Sequence, residues 1–127
     1  YAHHPTEIEA TMKSVELYDN LTNFNNRIVL WQPHKYSRTS DNLEGFKKCF
    51  RRCDELIILP LWTVAGEKKI DIDFEKEFAS YNPIFADRVV SYKGKIELIK
   101  DDKIIKTYDE GIFLGVGAGD ITYQLRY

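Results

Sequence analysis

The chain has 127 residues, of which 18 are lysine or arginine and 20 are aspartate or glutamate, for a formal net charge of −2. This length suits one domain with a real hydrophobic core, and the near-neutral charge excludes an overall field that would draw the chain to nucleic acid or a membrane. The sequence has no apolar run long enough to span a bilayer and no signal-peptide pattern. We therefore expect a single soluble, cytoplasmic domain, and because the chain begins at Tyr1 rather than at Met, we expect it to be a piece of a longer polypeptide.

The first predicted element is a helix that follows two histidines. Pro5 and the acidic Glu7 suit the first turn of a helix, and a helix over about 6–18 is predicted by apolar residues at helical spacing, namely Ile8, Met12 and Val15. His3 and His4 stand just before it. Adjacent histidines in this position are more often loop residues than catalytic groups, so the residues by themselves leave their role open.

A strand, a polar turn and a second helix come next. Residues 27–32 form an apolar run typical of a buried strand, and a helix is predicted over about 41–53, capped by Thr39 or Ser40. The apolar stripe of that helix consists of Leu43, Phe46, Phe50 and Cys53. The turn, residues 31–39, lies where a strand end meets a helix start, which is where open α/β sheets bind their ligands.

The turn is rich in cations and hydroxyl groups. They are, in order, His34, Lys35, Tyr36, Ser37, Arg38 and Thr39. Free N–H groups at a helix start favour anions, and Arg38 can bind a carboxylate or a phosphate through two parallel hydrogen bonds. The turn therefore fits an anion site, although a solvated basic loop that only caps a helix is an equally open interpretation of the residues.

Cys49 and Cys53 lie four residues apart in the helical pattern and so share one face of it. Two cysteines imply no disulfide framework. A metal site that combines them with His3, His4 or His34 is conceivable, but a CxxxC pair on a helix lacks the tight-turn spacing of zinc ligands. Small buried core residues are the better interpretation, and we predict no metal site.

A second buried strand is predicted at 55–60 because the run is continuously apolar, which is typical of a parallel sheet. The loop that follows, 61–69, contains Gly66 and Glu67. If the crossover between the two strands is right-handed, this loop lies beside the 31–39 turn at the same edge of the sheet.

The rest of the chain departs from simple alternation of strand and helix. A short helix is predicted at 73–81, and strand-like runs at 88–92, 95–100 and 103–108, separated by turn residues, predict an antiparallel β-meander. We therefore expect an α/β fold with a Rossmann-like, mostly parallel sheet flanked by helices and an antiparallel β-meander near 88–108.

The last predicted strand, 111–116, runs into Gly117-Ala118-Gly119 and then a short helix through Leu125. Glycines before a helix let the backbone approach a phosphate, but the dinucleotide-binding fingerprint also needs a second strand and an acidic residue farther along the chain. We therefore set aside a nucleotide oxidoreductase and interpret the glycines as a third loop that faces the same edge of the sheet.

Four blocks, in this order and spacing, resemble the carboxy-terminal domain of the Mur ligases: 1–7 (YAHHPTE), 32–39 (QPHKYSRT), 65–67 (AGE) and 117–121 (GAGDI). The likeness spans nearly the whole chain. It implies an ATP-dependent ligase that joins L-alanine to the lactyl carboxylate of UDP-N-acetylmuramate, through an acyl phosphate, in peptidoglycan synthesis. It also implies a three-domain enzyme in which this domain closes over the other two, and in which the absent central domain holds most of the ATP and Mg²⁺.

The resemblance further implies roles for individual residues. Arg38 is implied to bind the alanine carboxylate or the transferring phosphate with His34 beside it, and His3 to orient the substrate amine or the acyl phosphate. Further substrate contacts are implied for Tyr1, Lys35, Ser37, Gly66 and Glu67. A backbone loop for phosphate is implied for Gly117, Ala118 and Gly119.

The chain departs from the family pattern at three places. Lys35 stands where the family usually has arginine, Thr63-Val64 replaces a Tyr-Ala pair, and the meander near 88–108 replaces a helix. Because the sequence has no GxxxxGK[ST] phosphate loop, we expect the isolated chain to be inactive. Two alternatives stay open, a relative of the murein peptide ligases and a free-standing anion-binding or interaction module without catalysis.

Overall fold

A computed structural model of the chain describes residues 4–22, 27–63, 65–109 and 112–117. Its helices are α1 (Pro5–Thr22), α2 (Tyr36–Asp41), α3 (Leu43–Cys49) and α4 (Phe74–Glu77), and a 3-10 turn at Ala79–Tyr81 follows α4. The first helix begins at the predicted proline and continues beyond its predicted end. Within the described ranges no helix is long and apolar enough to cross a membrane.

The strands form two sheets. In chain order they are β1 (Arg27–Gln32), β2 (Glu55–Ile58), β3 (Ile84–Phe85), β4 (Arg88–Tyr92), β5 (Lys95–Lys100), β6 (Lys103–Tyr108) and β7 (Ile112–Gly117). The first sheet has the order β3-β2-β1-β7, with every neighbouring pair parallel. The second is the antiparallel meander β4-β5-β6. The predicted fold class is therefore confirmed.

The parallel sheet is buried on both faces, because its strands are continuously apolar and successive side chains point to opposite sides. The helix-side cluster contains Ile8, Met12, Val29, Trp31, Phe46, Cys49, Phe50, Leu56, Ile58, Phe78 and Val116. The meander-side cluster contains Ile28, Leu30, Ile57, Leu59, Ala86, Val89, Ile96, Leu98 and Tyr108. The meander thus covers the face that helices cover in a doubly wound domain, which agrees with the departure noted in the sequence.

The predicted helix over 41–53 is wrong in its bounds. Two short helices form instead: α2 ends at Asp41, where the predicted helix begins, and α3 ends at Cys49. Asn42 lies between them and donates its side-chain Nδ2 to the Arg38 carbonyl at 2.9 Å. Thr39 lies inside α2 rather than capping a helix, and its hydroxyl donates to the Lys35 carbonyl at 2.9 Å. Residues 36–41 are polar and have no apolar period, so the pattern gave no sign of a helix there.

Helices α1 and α3 approach each other closely, which explains why α3 contains a glycine. Gly45 lies within α3, where glycine costs about 1 kcal/mol relative to alanine. A Cβ at this position would lie 3.0 Å from both Cβ and Cγ of Pro5, the first residue of α1. The missing side chain lets α1 and α3 pack together over the helix side of β1, the strand that leads into the predicted site.

Candidate active site at the carboxyl edge of the sheet

The loops that follow β1 and β2 are joined by backbone hydrogen bonds. The Lys35 N–H donates to the Trp62 carbonyl at 2.9 Å, and the Trp62 N–H donates to the Pro33 carbonyl at 2.7 Å. His34 and Trp62 thereby form an isolated parallel β-bridge. The neighbouring position predicted for these loops is confirmed, and it follows from the parallel pairing of the two strands, whose carboxyl ends meet at one edge.

Arg38 in α2 contacts His34 in the turn that precedes the helix. Arg38 Nη1 lies 3.1 Å from His34 Nδ1, and both side chains are partly buried. A guanidinium group only donates hydrogen bonds, so His34 Nδ1 accepts this one and the ring proton of a neutral His34 lies on Nε2. Among the residues that the structure describes, no carboxylate forms an ion pair with Arg38.

Lys35 has a strained backbone. Its φ is 66°, outside the regions that side-chain-bearing residues usually adopt. The conformation turns the chain from the bridge with Trp62 into α2, and the Lys35 carbonyl then accepts from the N–H of Thr39 at 3.2 Å. Such strain costs on the order of 1–3 kcal/mol and is often found at functional sites.

Glu67 reaches the start of α2 from the second loop. Its Oε1 accepts one hydrogen bond from the Tyr36 N–H and a second from the Ser37 N–H at 3.4 Å. Gly66, with a φ of 80°, permits the turn that delivers this carboxylate. Four predicted site residues, Lys35, Ser37, Gly66 and Glu67, are thus brought together with His34 and Arg38.

Gly117 ends β7 beside Gln32, the last residue of β1. Its φ is 128°, and a Cβ there would lie 2.3 Å from the Gln32 carbonyl oxygen, so only glycine fits. The Gln32 side chain is 4% exposed, and it donates its Nε2 to the Pro60 carbonyl at 3.4 Å. Its Oε1 is a buried atom without a hydrogen-bond partner in the described part of the chain.

Four other predicted site residues, Tyr1, His3, Ala118 and Gly119, lie outside the described residues, as does the helix predicted after them. His4 is described and exposed, and its Nδ1 accepts from the Thr6 N–H at 3.2 Å, which caps the start of α1. This contact gives His4 a structural role.

The cysteines contribute to the helix side of the core. Cys49 is buried in the helix-side cluster, and Cys53 packs against that cluster from beyond the end of α3. Burial raises the pKa of the Cys49 thiol well above its usual range and that of Cys53 to about 11. Among the described residues no group of three or more histidine, cysteine or acidic side chains is placed to hold a metal ion.

A cavity of about 190 Å³ opens next to the paired loops, beyond the carboxyl ends of β2 and β3. Its lining is mostly apolar and includes Pro60, Leu61 and Phe74, with Asp87 and Lys100 as its charged residues. The described residues predicted for the site are not part of this lining. The polar cluster around Arg38 and this apolar cavity are therefore neighbouring but separate features of one sheet edge.

No protein-family model matches the chain. Curated proteins named UDP-N-acetylmuramate–L-alanine ligase match it over 99% of its length, with 56% identity for one from Helicobacter pylori, 48% for one from Campylobacter curvus and 36% for one from Campylobacter jejuni. The chain spans about 28% of the length of these relatives.

The fold has a solved counterpart. The crystal structure of the UDP-N-acetylmuramate-alanine ligase MurC from Thermotoga maritima aligns with 98% of this chain and 24% of its own, with a TM-score of 0.52 and 22% sequence identity. At this identity the match supports the fold alone. The sequence relatives confirm the resemblance to the Mur ligases: over 99% of its length the chain is similar to one part of proteins named UDP-N-acetylmuramate–L-alanine ligase.

Proposed function

We propose that the chain is the carboxy-terminal, amino-acid-binding domain of a cytoplasmic ATP-dependent ligase that adds L-alanine to UDP-N-acetylmuramate in peptidoglycan synthesis. The observation that carries the proposal is the 56% identity, over 99% of the chain, to an enzyme of that name. The rest of such an enzyme would bind the UDP-sugar and would make most of the contacts with ATP and Mg²⁺.

The described residues suit the amino acid substrate. Arg38 is partly buried, pairs with no described carboxylate and is held by the His34 ring, so it can bind the alanine carboxylate in a fixed orientation. Lys35, three residues before Arg38, adds a second cation to the turn. Ser37 and Gly66 lie in the same two loops and are proposed as further substrate contacts.

The proposed reaction requires a site that excludes water as well as one that binds anions. In the proposed reaction ATP would transfer its γ-phosphoryl group to the lactyl carboxylate and leave as ADP, and the amine of L-alanine would then attack the acyl phosphate and displace inorganic phosphate. Water in the site would hydrolyse the acyl phosphate instead. The residues of this chain would bind the amino acid, stabilise the negative charge that develops in the tetrahedral intermediate and exclude water as the domain closes. Tyr1, His3 and the Gly117-Ala118-Gly119 loop are proposed to complete this surface.

A chimeric enzyme tests the proposal directly. The chain replaces the matching segment of the Helicobacter pylori relative, and phosphate release is measured with UDP-N-acetylmuramate, ATP and each of several amino acids. We expect activity that depends on both the UDP-sugar and L-alanine. A folded chimera that uses another amino acid in preference, or none, contradicts the proposed function.

The isolated chain is the matched control. It has no GxxxxGK[ST] loop to hold a triphosphate, so we expect no ATP turnover from it. ATP turnover by the isolated chain would contradict this expectation if a single substitution in the chain abolished the turnover. The chain would then not depend on other domains for catalysis.

A further inference from the structure

Helix α2 begins without a cap of its own. Its N-cap residue, Lys35, makes no side-chain capping hydrogen bond, and the first turn of the helix contains no acidic residue. Lysine lacks the side-chain oxygen with which serine, threonine, asparagine and aspartate accept from the free N–H groups of a first turn. The segment that carries Arg38 therefore depends on an acceptor from elsewhere in the chain.

Glu67 supplies that acceptor. It lies 31 positions from Tyr36 in sequence, and its Oε1 accepts from the first two N–H groups of α2, those of Tyr36 and Ser37. The two backbone hydrogen bonds between Trp62 and the Pro33–Lys35 turn join the same two loops a few residues away. The second loop is thus fixed to the first at two points, once through the backbone and once through the Glu67 carboxylate.

We propose that Glu67 is a positioning residue of the amino acid site: it fixes the start of α2 and thereby places Arg38 and His34, instead of contacting the substrate itself. Arg38 follows directly after the two residues whose N–H groups are capped, and its guanidinium is already held by the His34 ring. A shift of α2 therefore moves Arg38 relative to the β-bridge that carries His34. The kinetic part of this inference rests on the proposed function, whereas the structural part does not.

The competing role for Glu67 is direct contact with the substrate amine. The two roles differ in what the side chain must provide. A cap needs an acceptor oxygen, which glutamine retains, whereas an ionic contact with an ammonium group needs the negative charge, which glutamine lacks. Glu67→Gln therefore separates the two roles, and Glu67→Ala removes both.

The two tryptophans give a readout on the isolated chain. Trp31 is 1% exposed, whereas Trp62 is 41% exposed and lies in the loop that Glu67 anchors. Quenching of fluorescence by acrylamide therefore reports mainly on Trp62. We expect Glu67→Ala to increase the quenching constant, Glu67→Gln to leave it near that of the unchanged chain, and Lys68→Ala, at an exposed neighbour in the same loop, to have no effect.

The outcome that overturns the positioning role is equally clear. If Glu67→Ala leaves Trp62 as protected as before, while circular dichroism shows the unchanged fold, the carboxylate does not fix the loop to α2. A Lys68→Ala variant that increases quenching as much as Glu67→Ala would also overturn it, because any truncation in the loop would then act alike.

Kinetics of the chimeric enzyme test the consequence for the site. We expect Glu67→Ala to raise KM for L-alanine about tenfold, the scale of one lost helix cap, with KM for ATP unchanged and Glu67→Gln close to the unsubstituted chimera. Equal damage from Gln and Ala would overturn the proposal in favour of direct ionic contact. If the unsubstituted chimera is itself inactive, the proposed function fails, while the quenching experiment still decides whether Glu67 fixes the two loops.

Discussion

The two faces of the parallel sheet are packed with different kinds of side chain. On the helix side, Trp31 lies at the centre of an aromatic group, with its ring centroid 5.0 Å from those of Phe46 and Phe50, 5.2 Å from Phe78 and 5.9 Å from Phe74. The meander-side cluster is mainly aliphatic. Aromatic rings bury more area per residue and prefer specific orientations, so the helix side fixes position while the meander side mainly closes the core.

This difference matters for the site because Trp31 is only three residues before His34. The ring that orders the helix side is carried by the strand whose end opens into the polar turn. The helix side also holds α3, which follows directly from α2 and its Arg38. The site should therefore respond more strongly to changes in the helix-side cluster than to equal changes in the meander-side cluster.

The largest expected effect is that of Trp31→Ala. It removes a fully buried indole with four aromatic neighbours, and we expect a loss of about 4–5 kcal/mol in the free energy of unfolding. Leu98→Ala, at a fully buried position of the meander side, should cost about 3 kcal/mol. Urea denaturation followed by far-ultraviolet circular dichroism measures both, and a larger loss for Leu98→Ala would reverse the comparison.

The next largest effect concerns activity alone. In the chimeric enzyme, Arg38→Ala should lower kcat/KM by about a hundredfold or more, equivalent to roughly 3 kcal/mol of transition-state stabilisation, because it removes the cation proposed for the alanine carboxylate. Arg88→Ala, at an exposed position on β4, is the matched control and should leave kcat/KM unchanged. Unchanged kinetics in Arg38→Ala would exclude it from the site.

The strands were easier to predict from the sequence than the site. The bounds of β1, β4, β5 and β6 follow from apolar or alternating runs between turn residues. The parallel pairing of the first two strands follows from the order of strand, helix and strand. Helix α2 was missed because its residues are polar and its cap is Glu67, which is remote in sequence. Local periodicity carries no information about an acceptor that comes from another loop.

The roles of individual residues come from the resemblance to the Mur ligases. The residue types alone do not decide whether the basic turn, residues 31–39, is a binding site or a solvated loop. The structure adds contacts that no residue pattern contains. The His34 to Arg38 hydrogen bond requires α2, and the hydrogen bond from Gln32 Nε2 to the Pro60 carbonyl requires the tertiary packing at the end of β1. Both arise where several segments meet, so they appear only once the fold is known.

A smaller effect is expected from Gly117→Ala at the edge of the sheet. The added Cβ would meet the Gln32 carbonyl oxygen at 2.3 Å in a backbone conformation with a φ of 128°. We expect a loss of about 2–3 kcal/mol in the free energy of unfolding, from strain and disturbed pairing of β1 with β7. Gly94→Ala, with a φ of 77° and no atom within 4 Å of its Cβ, isolates the backbone strain and should cost about 1 kcal/mol. Equal losses would show that the contact with Gln32 contributes nothing.

The smallest expected effect is a difference in the pH at which groups on the two faces of the parallel sheet begin to lower the stability of the chain. Burial raises the pKa of the Cys49 thiol above the 9.0 of an exposed cysteine, so its contribution to stability is complete below pH 9 and is lost as the pH rises further, when the unfolded chain ionises first. On the meander side, burial and the hydrogen bond to Glu55 raise the pKa of Tyr108 from 10.0, so the corresponding loss begins about one pH unit higher.

Cys49→Ala should therefore reduce the loss of stability between pH 8 and pH 10 by about 1 kcal/mol, measured as urea midpoints in the presence of a reducing agent. Tyr108→Phe should leave the loss over the same interval nearly unchanged, because the unfolded tyrosine is only starting to ionise there. The pH dependence of a variant is compared with its own stability at pH 8, which removes the cost of the lost packing. Tyr108→Phe could instead remove most of the loss in the free energy of unfolding between pH 8 and pH 10. In that case ionisation of Tyr108 on the meander side, and not of Cys49 on the helix side, causes the loss of stability at alkaline pH.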